Sequence, residues 1–341
     1  MGSNEKVRIG LIGAGRIAQI VHIPLWKKVL GANLVALCDK VAPKAQWVAE
    51  KYDVPQYFSS FEDMLKSPEI DAIDICTETD THKDLTIEAL SAGKHVLVEK
   101  PMATSYADAK AMVDAAEKYG KGLMVANNVR FRRDAITLKA FVDGGDLGDI
   151  FYAQSGWFLK KNLSRVGKDW IFDKKRSGGG VIMDLGSQML DVSWWLLGNI
   201  KPVAVKTVTS NLVSAADVED TATSLIHFAN GSSLTLEVSW AILAERNSLY
   251  TRLYGTEGTA HINPLRVYKN MHGNLINIVP TKEENDTVRY KRSYKNELKH
   301  FADCIGKNMP LQAGGAEVCE RLKILEAMYL SARTGREVEL T

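Results

Sequence analysis

The chain has few cysteines, no long uninterrupted apolar run and no excess of charge of either sign. Its four cysteines are scattered through 341 residues without a Cys-x-x-Cys pair, which argues against a disulfide framework or a thiolate metal site. The most apolar stretch, residues 181–200, contains Asp184 and Asp191, so it is unsuited to spanning a bilayer. With 43 basic and 41 acidic residues, the chain lacks the excess of positive charge that is typical of proteins binding nucleic acid or an anionic membrane. We therefore expect a cytoplasmic protein with buried free thiols and with neither nucleic-acid nor membrane partners.

What the sequence does contain is a glycine-rich turn directly after its first apolar run. Residues 7–12 are typical of a strand, and Gly13-Ala14-Gly15-Arg16-Ile17-Ala18 follows them as G-x-G-x-x-A. Gly13 permits a tight turn, Gly15 lets the backbone approach a pyrophosphate, and Ala18 keeps the next helix close to the sheet. The N-terminal N–H groups of that helix point at the phosphates. The motif predicts the start of a dinucleotide-binding βαβ unit.

A carboxylate ends the second predicted strand. Residues 33–39 form an apolar run that closes with Asp39, about 20 positions after the glycine motif, where such a group accepts hydrogen bonds from an adenosine ribose. The alternative is a strand-end residue that caps the next helix. Because a carboxylate repels a 2′-phosphate, we expect NAD as the cofactor. The adjacent Lys40 keeps NADP as the alternative.

The first 127 residues alternate short apolar runs with helical patterns. Further strands are predicted at 71–76, 95–99 and 123–126, and helices at 81–92 and 105–119, with Gly93 and Gly120 at the helix ends. This alternation predicts a doubly wound parallel sheet that binds its ligand at the carboxyl ends of the strands. We predict a Rossmann NAD(P)-binding domain over residues 1–127.

From residue 128 onwards the pattern favours antiparallel strands. The predicted elements are strands at 150–158, 203–210, 221–228, 233–239, 248–254 and 259–262, and helices at 135–142, 181–197, 295–305 and 316–334. Asn230-Gly231 between two of these strands is typical of a hairpin turn. We predict an α+β substrate-binding and oligomerisation domain over 128–341, with a large, open-faced, mainly antiparallel sheet. The solvated sheet face favours a homodimer or homotetramer.

Glu99-Lys100-Pro101 follows the predicted strand 95–99, at the edge where a parallel sheet binds its ligand. A partly desolvated Lys100 at that edge is suited to proton transfer beside a nicotinamide, and Glu99 is positioned to hold it. The alternative is a solvated strand terminus at which Pro101 ends the ladder. A sharp turn here would favour a cis Lys100–Pro101 bond.

A second cluster begins with Gly178-Gly179-Gly180 and continues with Asp184, Gln188 and Asp191. On a regular α-helix these three polar positions share one face. Polar groups on an otherwise apolar helix must find partners or face a cavity, so either helix capping with buried hydrogen bonds or a functional site explains them. We expect Gln188 to be a positioning residue that points into a cleft near Lys100 and Asp184.

In this order the segments resemble the glucose–fructose oxidoreductase / inositol dehydrogenase / rhizopine catabolism (Gfo/Idh/MocA) oxidoreductase family over nearly the whole chain. The resemblance rests on the glycine turn, Thr77 and His82, residues 93–101, Asn128-x-Arg130-Phe131, residues 178–191 and residues 331–336. It implies an NAD(P)-dependent dehydrogenase or reductase. Such an enzyme transfers a hydride between the cofactor and a CH–OH or ketone carbon of a sugar, cyclitol or sugar derivative.

The resemblance also implies a set of site residues, and no metal. The catalytic residues would be Lys100, Asp184 and Gln188. The cofactor would be bound by Gly13, Gly15, Arg16, Ile17, Ala18, Asp39, Lys40, Thr77, Thr79, His82, Glu99, Lys100 and Asn128. The substrate would be bound by Lys100, Arg130, Trp157, Trp170, Asp184 and Gln188.

Two positions depart from the family pattern. Glu78 stands where the family usually has proline, in a loop that mainly packs on the cofactor. Gln188 stands where the family usually has the acid–base histidine, and glutamine exchanges no proton near neutrality. Two other functions stay open: an NAD-dependent lyase or glycosidase with transient substrate oxidation, and a non-catalytic nucleotide- and sugar-sensing regulatory protein.

Overall fold

The computed structural model describes residues 6–160, 169–213, 216–282 and 284–340. The strands in these ranges are β1 Val7–Ile12, β2 Ala32–Cys38, β3 Gln56–Phe58, β4 Ala72–Ile75, β5 His95–Glu99, β6 Leu123–Ala126, β7 Ile150–Lys160, β8 Pro202–Ser210, β9 Thr221–Phe228, β10 Ser233–Ile242, β11 Ser248–Gly255, β12 Gly258–Ile262, β13 Arg266–Met271, β14 Asn274–Ile278 and β15 Val338–Glu339. The α-helices are α1 Ile23–Trp26, α2 Ala42–Lys51, α3 Phe61–Leu65, α4 His82–Ser91, α5 Tyr106–Tyr119, α6 Arg133–Asp143, α7 Lys174–Ser177, α8 Ser187–Leu196, α9 Asp286–Lys307 and α10 Gly315–Thr334. Over the described ranges, each helix is too short or too polar to cross a bilayer.

The first of two compact units comprises Met1–Phe131 and Thr287–Glu320. Its six strands form a parallel sheet in the order β3-β2-β1-β4-β5-β6. This is the doubly wound Rossmann order, in which the direction of strand addition reverses between β1 and β4. Their carboxyl ends therefore form a crevice for a ligand, and the predicted fold is confirmed. Gly93 and Gly120 take positive φ angles of 77° and 59°, as predicted for helix ends.

The core of this unit includes part of the C-terminal region. Tyr294, Leu298 and Phe301 of α9 are buried against β1 and α1. Helix α9 is longer than predicted, because its first half is strongly charged and shows little of the apolar periodicity that marks its second half. The proposed domain boundary after residue 127 remains a prediction.

The second unit comprises Arg132–Asp286 and Arg321–Thr341. It contains a nine-stranded sheet in the order β14-β13-β12-β11-β7-β10-β9-β8-β15. The pair β7 and β10 is parallel, and the other neighbouring pairs are antiparallel. Along β9 buried residues alternate with exposed ones, so one sheet face packs on the interior and the other is open. The predicted, mainly antiparallel, open-faced sheet is confirmed. Strands β13 to β15 add to the predicted set.

The helix before α8 is irregular where a single regular helix was expected. A π-helical turn covers Ile182–Gly186, and α8 begins at Ser187. A second π-helical turn, Ala18–His22, lies after the glycine-rich turn. Such turns insert an extra residue and rotate the side chains that follow, and they are frequent at functional sites.

The four cysteines are free and buried, in agreement with the sequence-based expectation. Burial, together with the charge of Asp39, raises the pKa of the Cys38 thiol to about 12. Cys38 therefore keeps its proton at neutral pH and behaves as a core residue.

Candidate active site

The glycine-rich turn has the geometry that a dinucleotide requires. Gly13 has φ 96°, and a Cβ there would lie 2.7 Å from the carbonyl oxygen of Cys76. A Cβ on Gly15 would meet its nearest atom at 3.9 Å, so this position is open. Ala18 is buried, Ile17 is half-buried and Arg16 is exposed. Gly13 is thus required by the fold, whereas Gly15 leaves the space into which a pyrophosphate fits.

Asp39 directly follows β2 and is tied to the glycine-rich turn. Its carboxylate accepts hydrogen bonds from the N–H groups of Ala14 (2.9 Å) and Val41 (3.0 Å) and from Lys44 Nζ (2.7 Å). Burial alone would raise the pKa of Asp39, but these hydrogen bonds and the Lys44 charge outweigh it and lower the pKa. Lys40 is exposed, and Lys44 is the lysine that pairs with Asp39. An ionised carboxylate therefore lies where the ribose of NAD is bound in this fold.

The loop after β4 is fixed by a buried histidine. His82 Nδ1 lies 3.0 Å from the carbonyl oxygen of Pro101, and Nε2 lies 3.3 Å from that of Thr77. Burial lowers the pKa of His82 below its ordinary value. Its ring therefore joins the loop after β4 to the turn after β5.

Thr79 supplies a polar group to the same loop. Its side chain is 1% exposed, and its hydroxyl has no hydrogen-bond partner among the described residues. Buried hydroxyls normally have a partner, so an unpaired one beside the crevice is consistent with a bound ligand. Together with the open space at Gly15 and the carboxylate of Asp39, this hydroxyl fits a dinucleotide cofactor.

Lys100 lies immediately after β5 with its backbone fixed by its neighbour. The N–H of Lys100 donates to Glu99 Oε2 at 3.0 Å, and the Glu99 side chain is almost fully buried. The Lys100–Pro101 peptide bond is cis. The Glu99 carboxylate thus fixes the backbone of Lys100, whose side chain carries the ammonium group.

Sequence reasoning missed His22, which lies behind this turn. The His22 ring is fully buried, with Nε2 2.8 Å from Glu99 Oε1 and Nδ1 2.8 Å from Asp74 Oδ2. The available signal was Asp74 itself, an acidic residue within an otherwise apolar strand. A buried carboxylate must have a partner, which points to a basic residue elsewhere in the chain.

Asn128 and Arg130 both bond protein groups within the first unit. Asn128 Nδ2 donates to Ser293 Oγ at 2.8 Å. Arg130 Nη1 lies 2.9 Å from each carboxylate oxygen of Glu317, and Arg130 is 1% exposed. These contacts hold the 3-10 turn Asn128–Phe131 against α9 and α10. The predicted roles of both residues in ligand binding stay predictions.

In the second unit, Asp184 and Gln188 lie together. Gln188 Nε2 donates to the backbone oxygen of Asp184 at 3.3 Å, and Gln188 is 3% exposed. Trp240 Nε1 donates to Asp184 Oδ2 at 3.1 Å. Because Asp184 lies in the π-helical turn, the regular i, i+4, i+7 spacing does not apply to it. The local pairing of Asp184 with Gln188 nevertheless exists.

Asp191, the third member of the predicted cluster, has a structural partner. Its carboxylate lies 3.1 Å from Arg321 Nε, and both side chains are buried. The Arg321 guanidinium also donates to Asn199 and covers the Trp194 ring at 4.2 Å. Asp191 therefore anchors α8 to α10 in the second unit.

Gly179 and Gly180, two of the three glycines before Asp184, serve close packing. A Cβ on Gly180 would lie 2.1 Å from the backbone oxygen of Glu219, and one on Gly179 would lie 2.0 Å from the Tyr329 hydroxyl. The N–H groups of Gly180 and Ile182 donate to the Glu219 carboxylate. Glu219, another residue that sequence reasoning missed, thus fixes the start of the helix that carries Asp184.

Two predicted substrate-binding tryptophans lie in different elements of the second unit. Trp157 is half-buried in β7, and Trp170 begins the 3-10 turn Trp170–Phe172. Phe172 packs edge-on against Trp240, with ring centroids 5.3 Å apart. Since Trp240 bonds Asp184, the 3-10 turn and the predicted catalytic carboxylate share one aromatic cluster.

Comparisons with known proteins agree with this geometry. Residues 7–127 match the model described as oxidoreductase family, NAD-binding Rossmann fold, and residues 135–261 match the GFO/IDH/MocA C-terminal domain. D-glucoside 3-dehydrogenase of Escherichia coli (strain K12) is 30% identical, with 99% of both chains covered. The scyllo-inositol 2-dehydrogenase (NAD(+)) of Bacillus subtilis (strain 168) is 26% identical, with 98% of both chains covered.

A solved structure of levoglucosan dehydrogenase in complex with NADH and levoglucosan shares the fold. It is similar to this chain with a TM-score of 0.90 and 22% sequence identity, and covers 98% of this chain and 99% of its own. The family models together match more than half of the chain, and the glycine turn, Asp39 and Thr79 fit the NAD that the first model describes. The chain therefore belongs to the Gfo/Idh/MocA family of NAD-binding oxidoreductases.

Proposed function

We propose that this protein is an NAD-dependent dehydrogenase or reductase acting on a CH–OH or ketone carbon of a sugar, cyclitol or sugar derivative. The observation that carries the proposal is Lys100 at the carboxyl end of β5, with its backbone held by buried Glu99, in the unit that binds NAD. The curated relatives support the substrate class, since one is named for a glucoside and another for an inositol.

In this proposal Lys100 carries the proton transfer. Bound NAD would supply the hydride acceptor for the carbinol carbon in the oxidative direction. The neutral amine of Lys100 takes the hydroxyl proton of the same carbon, and the ammonium returns it in the reductive direction. Glu99 keeps the Lys100 backbone fixed. This matters for the rate, because a misplaced amine transfers the proton more slowly.

Asp184 and Gln188 orient the substrate. The Asp184 carboxylate, held by Trp240, accepts hydrogen bonds from substrate hydroxyls, and the Gln188 amide both donates and accepts. Asp184 and Gln188 belong to the second unit and Lys100 to the first, and their proximity to Lys100 stays a prediction.

The function is tested with a panel of glucosides, other sugars and inositols, each offered with NAD and with NADP. We expect NADH to accumulate with at least one polyol. If an aglycone or an elimination product appears without NADH, the protein is a lyase or glycosidase with transient oxidation. If polyols and NAD bind without any conversion, it is a sensor.

We expect NAD to bind more tightly than NADP. The lowered pKa of Asp39 keeps its carboxylate ionised, and a 2′-phosphate beside it costs about 1–4 kcal/mol. Asp39→Ser removes this repulsion and should bring the two dissociation constants within about tenfold of each other. Titration of the cofactors by protein fluorescence gives both constants. Tighter binding of NADP by the unchanged protein would refute the assignment of Asp39 to the ribose.

Lys44→Met is the matched control for Asp39. It removes the cation that pairs with Asp39 and leaves the carboxylate in place. The preference for NAD should then rise, because less positive charge is left to attract a 2′-phosphate. An unchanged or weaker preference for NAD would mean that the Lys44 charge does not act on the 2′-phosphate.

Gln188 should leave a signature in the pH dependence of the rate. Since glutamine does not titrate, the profile of kcat should lack a histidine limb near pH ~6.5. Gln188→His should introduce such a limb, whereas Gln188→Leu, of similar size, should lower kcat without one. A limb near neutrality that persists in both Gln188→Leu and Lys100→Met would place the acid–base group elsewhere.

We also propose a cytoplasmic homodimer or homotetramer formed through the open face of the nine-stranded sheet. The exposed Leu225 on β9 and Val208 on β8 support this, because apolar residues on an open sheet face favour association. Light scattering of the purified protein decides between monomer, dimer and tetramer.

A further inference from the structure

A buried cluster of ionisable side chains lies behind the Lys100 turn. The His22 ring, in the π-helical turn Ala18–His22, lies between the carboxylates of Asp74 and Glu99 at 2.8 Å from each. Trp26 Nε1 donates to the same Asp74 oxygen at 2.7 Å. His22 and Asp74 are 0% exposed, and Glu99 is 5% exposed. The proposed reaction assigns no role to His22 or Asp74.

The hydrogen bonds of this cluster constrain the protonation state of His22. Asp74 Oδ2 accepts from Trp26, and Glu99 Oε2 accepts from the Lys100 N–H, so both carboxylates act as acceptors. With both carboxyl groups ionised, each ring nitrogen of His22 has to donate, and this requires the imidazolium form, because a neutral imidazole carries one N–H and an imidazolium two. Burial by itself lowers the pKa of His22, but the charge and hydrogen bond of Asp74 outweigh it and raise the pKa well above its ordinary value.

The same groups are poorly suited to a metal ion. Ligand atoms of His22, Asp74 and Cys76 lie within 4.8 Å of one another. However, both His22 nitrogens are already bonded to carboxylates. Burial, with the charge of Asp74, raises the pKa of the Cys76 thiol, so no thiolate is available at neutral pH. The arrangement is an ion-pair network.

The network connects directly to the residue that transfers the proton. We propose that His22 is a positioning residue for the reaction: its imidazolium holds Glu99 against the backbone N–H of Lys100 and balances one of the two buried carboxylates. The inference rests on the proposed role of Lys100. It explains why a strand that would otherwise be apolar contains Asp74, which holds the second ring nitrogen of His22.

Other titratable groups also face the cluster. From α9, Tyr294 packs edge-on against His22 with centroids 5.7 Å apart, and Tyr290 packs edge-on against Tyr294. Burial and the charge of Glu99 raise the pKa of both tyrosines. Both hydroxyls therefore stay neutral at physiological pH.

Two amide variants separate the two contacts of the ring. His22→Gln places an amide near the position of Nε2 and retains the contact with Glu99, whereas His22→Asn places it near Nδ1 and loses that contact. We expect His22→Asn to lower kcat by about tenfold or more, and His22→Gln to recover part of this loss. The KM for NAD should change by less than about threefold in both, because the cofactor contacts are intact.

A double-mutant cycle tests whether His22 acts through Glu99. In the Glu99→Gln background, His22→Asn should lower kcat by no more than about twofold further. Trp26→Phe is the control, since it weakens the Asp74 end of the network and leaves His22 and Glu99 in place. It should lower the thermal midpoint and keep kcat within about twofold of the unchanged protein. If the double variant lowers kcat by the product of the factors measured for His22→Asn and Glu99→Gln alone, the two residues act independently and the proposal is overturned.

Nitrogen NMR of the unchanged protein tests the charge of His22 without turnover and without a variant that must fold. With ¹⁵N-labelled histidine, we expect both ring nitrogens of His22 to be protonated throughout the neutral pH range. A neutral His22 ring would overturn the proposal, as would a folded His22→Asn variant with unchanged kcat. If no polyol is oxidised at all, the proposed function fails instead, and the NMR result still reports on the network.

Discussion

Lys100→Met is expected to abolish turnover and to leave NAD bound with an affinity within a few-fold of the unchanged protein. Removal of a general acid–base group typically lowers the rate by ~10²–10⁴. Methionine has a length close to that of lysine and leaves the backbone hydrogen bond to Glu99 intact. The measurements are kcat at saturating polyol and the dissociation constant of NAD by fluorescence titration.

Lys94→Met is the control for the loss of a lysine near the same strand. The Lys94 ammonium donates to the backbone oxygens of Ser67 and Ile70, at the opposite end of β5 from Lys100. Its replacement should leave kcat unchanged. A Lys100→Met variant that keeps more than about a tenth of the activity would assign the proton transfer to another group.

Gly13→Ala is expected to disrupt both the fold of the first unit and its binding of NAD. The φ angle of 96° is strained for alanine, and the added Cβ would lie 2.7 Å from the Cys76 oxygen and 2.9 Å from Thr77 Cγ2. Backbone strain of this kind costs about 1–3 kcal/mol, and the steric contact adds to it. We therefore expect a lower free energy of unfolding, measured with urea, and a loss of NAD binding.

Gly15→Ala separates the two effects. A Cβ there meets its nearest neighbour at 3.9 Å, so the free protein accommodates it and its stability should not change. The methyl group occupies the space that the pyrophosphate approaches, and the affinity for NAD should fall by about tenfold or more. If Gly15→Ala binds NAD normally, the pyrophosphate does not lie over this turn. If Gly13→Ala is as stable as the unchanged protein, the tight turn is not required by the fold.

Much of the first unit was predictable because its signals are local. Strands buried on both faces of a parallel sheet appear as short, mostly apolar runs, and β1, β2, β5 and β6 follow that pattern, as does β4 apart from Asp74. Gly13 and Asp39 directly follow two of these strands, so their placement at the carboxyl edge follows from the strand assignments. The hairpin at Asn230-Gly231 was predictable for the same reason, and Gly231 has a φ of 85°.

The partners of buried polar groups were less accessible to sequence reasoning. Asp191 was placed in a cluster with Asp184 and Gln188 on the basis of helical spacing. In the structure its partner is Arg321, 130 residues away, and the π-helical turn Ile182–Gly186 interrupts the regular spacing. In a π-helical turn the backbone hydrogen bonds join residues five positions apart instead of four, and no distinctive residue pattern marks such a turn in the sequence. Its position depends on packing around the helix.

The sequence by itself determined the Rossmann fold, the glycine-rich turn, the carboxylate of Asp39 and the position of Lys100 after β5. Each depends on residues within a few positions of one another, where backbone geometry links spacing to structure. Only the tertiary structure decided that His22, Asp74 and Glu99 form one network, and that Lys44 pairs with Asp39. Residues 22, 74 and 99 come into contact only when separate elements pack together. Burial of a charged group is costly unless an opposite charge or a hydrogen-bonding group lies next to it, so its partner is set by proximity in the fold and not by spacing in the sequence.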